Sequence, residues 1–309
     1  MPANSNKTAL PLAGFIIAFL GAVLFSTKAI IVKKAFADTH TDALTLLTLR
    51  MAFSLPFFIG VAIFASNKKD NIKLSGKHWL IIIVLGIFGY YLSSLFDFIG
   101  LQYVSAGLER LILFLYPSFV VLINAGIFKQ KITPIQKIAL FLTYAGIGIA
   151  YTGELHIDLN NPHFLLGSLL IFICAITYSI YIAGSGKIIP LVGATKFTAY
   201  AMLASTVGIF IHFIFSGNYQ GMPAGRDFWI YGLLLAILAT VIPSFLISAG
   251  MKSIGSNNVA IISGIGPVST ILQAHFILGE PIFTEQLIGT VLVIAGVLLT
   301  GWKVSDQVA

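Results

Sequence analysis

The sequence predicts an all-α integral membrane protein with ten transmembrane helices, arranged as two inverted five-helix repeats. Three observations predict this fold: the composition, a series of apolar runs and an internal duplication. Of the 309 residues, 58% are hydrophobic and only 9% are charged, whereas an ordinary soluble domain carries about 25% charged residues. Such a composition cannot cover a soluble surface, so most of the chain must face lipid or other helices.

Ten apolar runs follow one another along the chain, and each is close to the length of about 20 residues that a bilayer-crossing helix needs. Because the runs are continuous and lack strict apolar–polar alternation, they predict helices rather than barrel strands. The linkers are too short to hold a soluble domain. The runs cover residues 12–32, 43–65, 79–101, 107–128, 134–152, 164–184, 195–216, 228–249, 258–278 and 284–302.

An internal duplication divides the chain into two halves. Pro117 recurs as Pro267, an offset of 150 residues, and Ser26 recurs as Ser179, an offset of 153. A period this long indicates a duplicated unit. Each half holds five spans, and this odd number inverts the second copy relative to the first, as is typical of transporters that rock around a central site. The two repeats are predicted to cover residues 1–153 and 154–309.

The distribution of basic residues predicts the orientation of the chain. A net charge of +7 alone would also suit a nucleic-acid-binding protein. With the amino terminus inside, however, twelve cations fall in cytoplasmic segments and three fall in outer loops, which is the positive-inside pattern. We therefore predict cytoplasmic termini and no nucleic-acid partner. The inner cations are Lys7, Lys68, Lys69, Lys73, Lys77, Lys129, Lys131, Lys137, Lys187, Lys196, Lys252 and Lys303, and the outer ones are Lys33, Lys34 and Arg226.

Two segments are specific enough to resemble a known family. Residues 276–298 read FILGEPIFTEQLIGTVLVIAGVL, and residues 105–119 read SAGLERLILFLYPSF. With the ten spans and the duplication, they resemble an EamA-type transporter of the drug/metabolite transporter (DMT) superfamily over nearly the whole chain. The resemblance implies a carrier of the cell inner (cytoplasmic) membrane for small metabolites, commonly an exporter of amino acids, with one cavity between its halves.

The Gly-Glu pair of this family matches Gly279 and Glu280, whereas the first copy of the repeat has Lys129 and Gln130. A carboxylate is therefore not needed at this position in both copies. We expect Glu280 to cap or anchor a helix end rather than to bind substrate.

We single out five charged residues inside predicted spans, and all belong to the first half. Their counterparts in the second half carry no charge at neutral pH, so the duplication has lost its symmetry where we expect function. A charge in hydrocarbon is expensive, and each of these groups should face a cavity, a partner or the interface. All five are predicted in the outer leaflet, where three cations and two acids favour zwitterionic or anionic solutes. These candidate substrate-binding or gating residues are Lys28, Arg50, Asp97, Glu109 and Arg110.

Arg50 lies deepest of the five, and its planar guanidinium group can form two parallel hydrogen bonds to a carboxylate or a phosphate. An ion pair with Asp97 and snorkelling to the surface remain open alternatives. Asp97 is expected either to pair with Arg50 or Arg110 or to act as a proton-sensitive gate, which leaves coupling to protons open. For Lys28, Glu109 and Arg110, the alternatives to a functional role are a favourable helix dipole and snorkelling.

Neutral polar side chains recur at helical spacing in three spans and fit either a cavity lining or polar helix–helix contacts. Tyrosines among them would offer an apolar or cation–π wall to a substrate. Paired interior prolines free backbone carbonyls and mark expected hinges. The polar residues are Tyr90, Tyr116, Asn124, Ser263, Thr270 and Gln273, and the hinge residues are Pro117, Gly266 and Pro267.

A membrane-embedded enzyme and a passive channel are the alternatives to a carrier. The six histidines show no metal-ligand spacing within one helix, and the single cysteine excludes an internal disulfide and a cysteine-based metal cluster. No complete phosphate-binding loop is present. We predict no catalytic residue, no metal and no cofactor. The predicted function is secondary-active transport of small metabolites such as amino acids, by alternating access around a central cavity in the lipid bilayer.

Overall fold

The protein, seen in a computed structural model, is a bundle of helices. The structure describes residues 12–67, 73–127, 129, 131–158, 161–217, 222, 225–254, 262–263 and 265–302. Over these residues there is no β-strand, and eight helical segments are long and apolar enough to cross a membrane. Lys7, Lys68, Lys69, Lys303 and Gln130, used in the predictions above, lie outside the described residues.

Over its described residues, the first half contains seven helices that form five apolar segments. The helices are α1 (Leu12–Thr39), α2 (Ala43–Ser66), α3 (Gly76–Gly86), α4 (Ser93–Gly100), α5 (Ala106–Leu113), α6 (Tyr116–Gly126) and α7 (Pro134–Asp158). A π-helical turn, Ile87–Leu92, joins α3 to α4 without interrupting the span.

The second half is built in a similar way from six helices over its described residues. They are α8 (Phe164–Val192), α9 (Ala194–Ser216), α10 (Arg226–Ala236), α11 (Ile242–Ile254), α12 (Gly266–Gln273) and α13 (Thr284–Trp302). A π-helical turn, Ile237–Val241, joins α10 to α11, and another, Ala274–Leu278, follows α12.

The number of ten spans stays a prediction. The ninth predicted span, 258–278, begins outside the described residues, so α12 and the turn after it represent only its second part. The tenth predicted span corresponds to α13, whose apolar stretch Thr284–Leu299 is shorter than the other spans.

Helix α1 is longer than its predicted apolar run, which ended at residue 32. Its last turns are held by charged side chains: Lys34 pairs with Asp38 at 3.2 Å, and Lys33 pairs with Glu280 at 3.3 Å. Helix α8 likewise continues past residue 184 to Val192, and Gly193 ends it with a φ of 85°. Glycine suits this position because other residues rarely adopt a positive φ.

Close helix contacts at glycine bring the two halves together. Helix α7 packs along α13, and a Cβ at Gly146 would lie 2.7 Å from the Gly289 carbonyl oxygen and 2.9 Å from the Leu292 Cβ. A Cβ at Gly296 would collide with Thr143. Only small residues allow backbones to approach so closely, as is typical of membrane helix pairs.

The fourth and ninth predicted spans are both broken just before a proline. In the fourth, Leu115 N–H donates to the Ile112 carbonyl at 3.0 Å, and α6 begins with Pro117 in its first turn. In the ninth, Ile265 N–H donates to the Ile262 carbonyl at 3.1 Å, and α12 has Pro267 in its first turn. Proline fits a first turn because its missing N–H needs no partner there. The prolines therefore start helices rather than kink continuous ones, and their role as hinges stays a prediction.

Candidate functional site

A cavity of about 320 Å³ lies in the centre of the bundle, between the two halves. The first half contributes α1, α2, the α3–α4 span, α5 and α6, and the second half contributes α8, α9, the α10–α11 span and Ser263. The π-helical turn between α3 and α4 reaches it through Gly89 and Tyr90, and the turn between α10 and α11 reaches it through Ala239 and Thr240. Such turns often occur at functional sites because they redirect side chains within a helix.

Four of the five predicted intramembrane charges line this cavity: Lys28, Arg50, Asp97 and Arg110. The fifth, Glu109, is fully buried beside it. The Lys28 Nζ lies 2.5 Å from the Asp97 Oδ2 and 3.6 Å from the Glu109 Oε1. The three residues come from α1, α4 and α5, and we call them the Lys28–Asp97–Glu109 triad.

The triad corrects the expected partner of Asp97. One of the two alternatives for Asp97 was a pair with Arg50 or Arg110, but its carboxylate instead receives the Lys28 ammonium. The other alternative, a proton-sensitive gate, stays a prediction. Lys28 therefore does not snorkel to the surface, since its side chain is only 14% exposed. Position along the chain gives depth but not helix rotation, so the sequence could not distinguish these partners.

Arg50 is 5% exposed and has no carboxylate within 4 Å among the described residues. Its Nη2 donates to the Ser94 Oγ at 3.3 Å, and its guanidinium carbon lies 5.3 Å from the centre of the Phe98 ring. The Arg50 Nε has no hydrogen-bond partner in the described structure. A buried cation with an unused donor is costly, so this arginine is suited to an anion that enters the cavity.

Arg110 provides a second guanidinium to the same cavity. It packs against the start of α12, where a Cβ at Gly266 would lie 2.7 Å from the Arg110 Nη2. Glycine at this position leaves room for the guanidinium. The Arg110 Nε, like that of Arg50, has no hydrogen-bond partner among the residues described.

Aromatic side chains form much of the remaining wall. The Tyr90 and Tyr181 hydroxyls are 2.8 Å apart, and the Tyr116 and Tyr178 rings are 5.2 Å apart at an edge-to-face angle. Tyr90 and Tyr116 were predicted from the sequence; Tyr178 was not. Cys174 was also missed, whereas Ser94 lies on the same polar stripe as Tyr90 and Asp97, for which helical spacing predicted a cavity lining.

Three of the predicted polar residues lie outside the cavity lining, while Ser263 lies within it. The Thr270 hydroxyl donates to the Ser26 carbonyl at 3.4 Å, and the Gln273 amide donates to the Ser269 hydroxyl at 2.8 Å. Asn124 lies near the end of α6 and is also absent from the lining. Thr270 therefore makes a polar contact between two helices, which was the alternative to a cavity lining. Gln273 makes a contact within its own helix.

Glu280 caps the amino terminus of α5. Both of its carboxylate oxygens accept the Ala106 N–H at 3.0 Å, and the Gly107 N–H lies 3.4 Å away. Lys33 adds an ion pair at 3.3 Å and donates to the Val104 carbonyl at 2.7 Å. A carboxylate is stabilised at a helix amino terminus by free N–H groups and the dipole. This confirms the expectation that Glu280 anchors a helix end.

The sequence matches a model of the EamA-like transporter family twice, over residues 12–152 and 165–302. The chain belongs to this family. EamA-like transporters are part of the DMT superfamily, and the chain is accordingly a multi-pass membrane protein. Fold, composition and family agree in this assignment.

Relatives of this EamA-like protein are themselves named as transporters. It is 31% identical to the uncharacterized transporter YcbK of Bacillus subtilis (strain 168), over 90% of this chain and 89% of the relative. It is 26% identical to the uncharacterized transporter YyaM of the same organism, over 75% of each chain. A solved structure named only "Crystal structure of protein" aligns with a TM-score of 0.64 at 19% identity, over 94% of this chain and 97% of that chain. At that identity the likeness concerns the fold alone.

Proposed function

We propose that this EamA-like protein is a secondary-active transporter that exports small metabolites such as amino acids, by alternating access around the central cavity. The observation that carries the proposal is the buried Arg50, which faces a cavity built from both halves and has an unused Nε donor. A guanidinium in low dielectric binds a carboxylate strongly and at two points. The cavity volume, about 320 Å³, is at the small end for ligand pockets and suits a small metabolite.

We further propose that the two halves are inverted repeats that move against each other. Several paired features support this. The family model matches twice, with starts offset by 153 residues (165 against 12). The π-helical turns begin at 87 and 237, and the helices after the two breaks begin at 116 and 266, both offsets of 150. Contacts between the halves are also equivalent. Helix α1 packs on α11 of the second half, and α8, the counterpart of α1, packs on α4, the counterpart of α11.

The proposed substrate carries a carboxylate, a cationic group and a moderate apolar part. Arg50 and Arg110 would hold the carboxylate, and Asp97 would receive the cationic group in place of Lys28. Tyr90, Tyr116 and Tyr178 would contact the apolar part. An amino acid has this combination of groups. The positive-inside pattern supports a cytoplasmic membrane with cytoplasmic termini, and the triad supports coupling to protons.

Counterflow in proteoliposomes tests the function. Vesicles loaded with single members of a panel of amino acids and organic anions should accumulate the matching labelled solute when the protein is present. Arg50→Ala should weaken the apparent affinity about tenfold to a hundredfold, because a buried hydrogen bond to a charged group is worth about 1.5–3 kcal/mol. Arg226→Ala, at an exposed arginine outside the cavity, is the matched control and should behave like wild type. Solute-independent ionic current without counterflow would contradict a carrier.

A further inference from the structure

The Lys28–Asp97–Glu109 triad has one cation for two acids. Glu109 is 0% exposed, and neither of its carboxylate oxygens has a hydrogen-bond partner in the described structure. Lys28 donates to Asp97 at 2.5 Å, which leaves Glu109 with only the 3.6 Å approach. An ionised carboxylate buried without hydrogen bonds is expensive.

A proton on Glu109 resolves this imbalance. The Asp97 Oδ1 is also buried and without a partner, and the two carboxyl groups share one ammonium, which lies 2.5 Å from Asp97 and 3.6 Å from Glu109. One ammonium offsets the charge of one carboxylate, so the second buried carboxyl group is stable only when it carries a proton. Asp97 keeps the negative charge because it receives the lysine. Protonated Glu109, ionised Asp97 and charged Lys28 then sum to zero.

The groups around Glu109 support its role as the proton holder. Lys28 on α1 lies 3.6 Å from its carboxylate, Asp97 on α4 shares that lysine, Cys174 on α8 is close enough to interact electrostatically, and Arg110 is the next residue on its own helix. Among the described residues of α7, α12 and α13, which also pack on α5, no cation lies within 4 Å of the Glu109 carboxylate. Asp97 and Lys28 line the cavity, but Glu109 does not. The proton is therefore shielded from the cavity by an ion pair that a substrate can open.

We propose that Glu109 holds the proton that is exchanged for the cationic group of the substrate, an inference that rests on the proposed transport function. The substrate ammonium takes the Asp97 carboxylate, and the Lys28 ammonium moves the short distance to Glu109. Glu109 then gives up its proton to water in the cavity. The substrate ammonium enters the triad and one proton leaves it, so each turnover exchanges one substrate molecule for one proton.

Infrared spectroscopy of the full-length protein in lipid tests the resting state without any substrate. Wild type at neutral pH should show the C=O band of a protonated, buried carboxyl group. Glu109→Gln should lose this band, and Asp227→Asn, at an exposed acid outside the cavity lining, should keep it. Absence of the band in wild type, or its persistence in Glu109→Gln, would overturn the proposal. Glutamine mimics the protonated acid in shape and should preserve the fold, which size-exclusion chromatography in detergent checks.

Transport measurements then separate the inference from the function on which it rests. With a solute that shows counterflow, Glu109→Gln should retain exchange of that solute but lose uptake driven by a pH gradient and lose substrate-induced proton release. Retained proton release in Glu109→Gln would overturn the proton role and leave the carrier intact. Absence of counterflow in wild type would count against the carrier, and the infrared band would still decide the protonation of Glu109.

Discussion

At the scale of single residues, Lys28 is shared between two buried carboxyl groups. Its ammonium lies 2.5 Å from Asp97 and 3.6 Å from Glu109, so it can serve either one. This sharing predicts unequal effects of removing the members of the triad. Loss of the only cation leaves two acids facing each other, whereas loss of one acid leaves a complete pair.

Lys28→Met should therefore destabilise the protein more than Asp97→Asn. Breaking a buried ion pair costs about 3–5 kcal/mol because a charge is left uncompensated, but in Asp97→Asn the lysine can turn to Glu109. Thermal unfolding in detergent measures the difference. Lys34→Met removes a more exposed lysine, paired with Asp38, from the same helix and should have little effect, since water screens exposed ion pairs. Equal losses in Lys28→Met and Asp97→Asn would contradict the sharing.

The single cysteine of the chain allows the cavity of the wild-type protein to be labelled without introducing a new cysteine. Cys174 is 3% exposed and lines the cavity together with Lys28 and Tyr178. A solute that occupies the cavity should slow alkylation of this thiol, as measured by mass spectrometry. Cys174→Ser should abolish labelling. A solute that shows counterflow but leaves the labelling rate unchanged would place the substrate elsewhere.

At the scale of helices, the α7–α13 contact depends on glycine. A Cβ at Gly146 would meet the backbone of α13, whereas a Cβ at Gly148, two residues further along α7, would meet nothing within 4 Å. Gly146→Val should lower stability by about 1–3 kcal/mol through overpacking. Gly148→Val makes the same change of residue in the same helix, so its effect on helix propensity is the same but it adds no clash. It serves as the control in the same thermal unfolding assay. A larger loss for Gly148→Val would contradict the described packing.

The Glu280 cap predicts a second effect at the level of elements. Glu280 links the segment after α12 to the amino terminus of α5, and Lys33 ties it to α1. Glu280→Gln removes the charge and weakens all these contacts, so this end of the bundle should open more often. A membrane-impermeant thiol reagent added at the outer side should then label Cys174 faster. Asp227→Asn, at an exposed acid that starts α10 at the same end, should leave the rate unchanged, and an unchanged rate in Glu280→Gln would refute the role in closure.

The sequence predicts helices and intramembrane charges well but not the contacts between them. The runs at 43–65 and 195–216 agree closely with α2 and α9 because continuous apolar stretches leave little choice of structure. The ion pair predicted between Asp97 and an arginine was wrong, because the partner depends on the rotation of α1 and α4 about their axes. The π-helical turns were not predicted either, since one additional residue in a turn leaves an apolar run unchanged.

At the scale of the whole molecule, the proposed transport cycle requires one cavity that faces the two sides of the membrane in turn. The lining residues come from both halves, and the paired breaks and π-helical turns lie at equivalent places in each. Such an arrangement would allow one half to rock against the other while the charged groups of the first half keep hold of the substrate.

The most direct test is the sidedness of Cys174 alkylation in right-side-out and inside-out vesicles, with the impermeant reagent on one side only. Alternating access predicts labelling from both sides, and a transported solute on one side should slow it from that side. The vesicles should carry no solute-independent current. Labelling from both sides together with a steady current would indicate a channel. Labelling from one side only, unchanged by any solute that shows counterflow, would contradict the central claim.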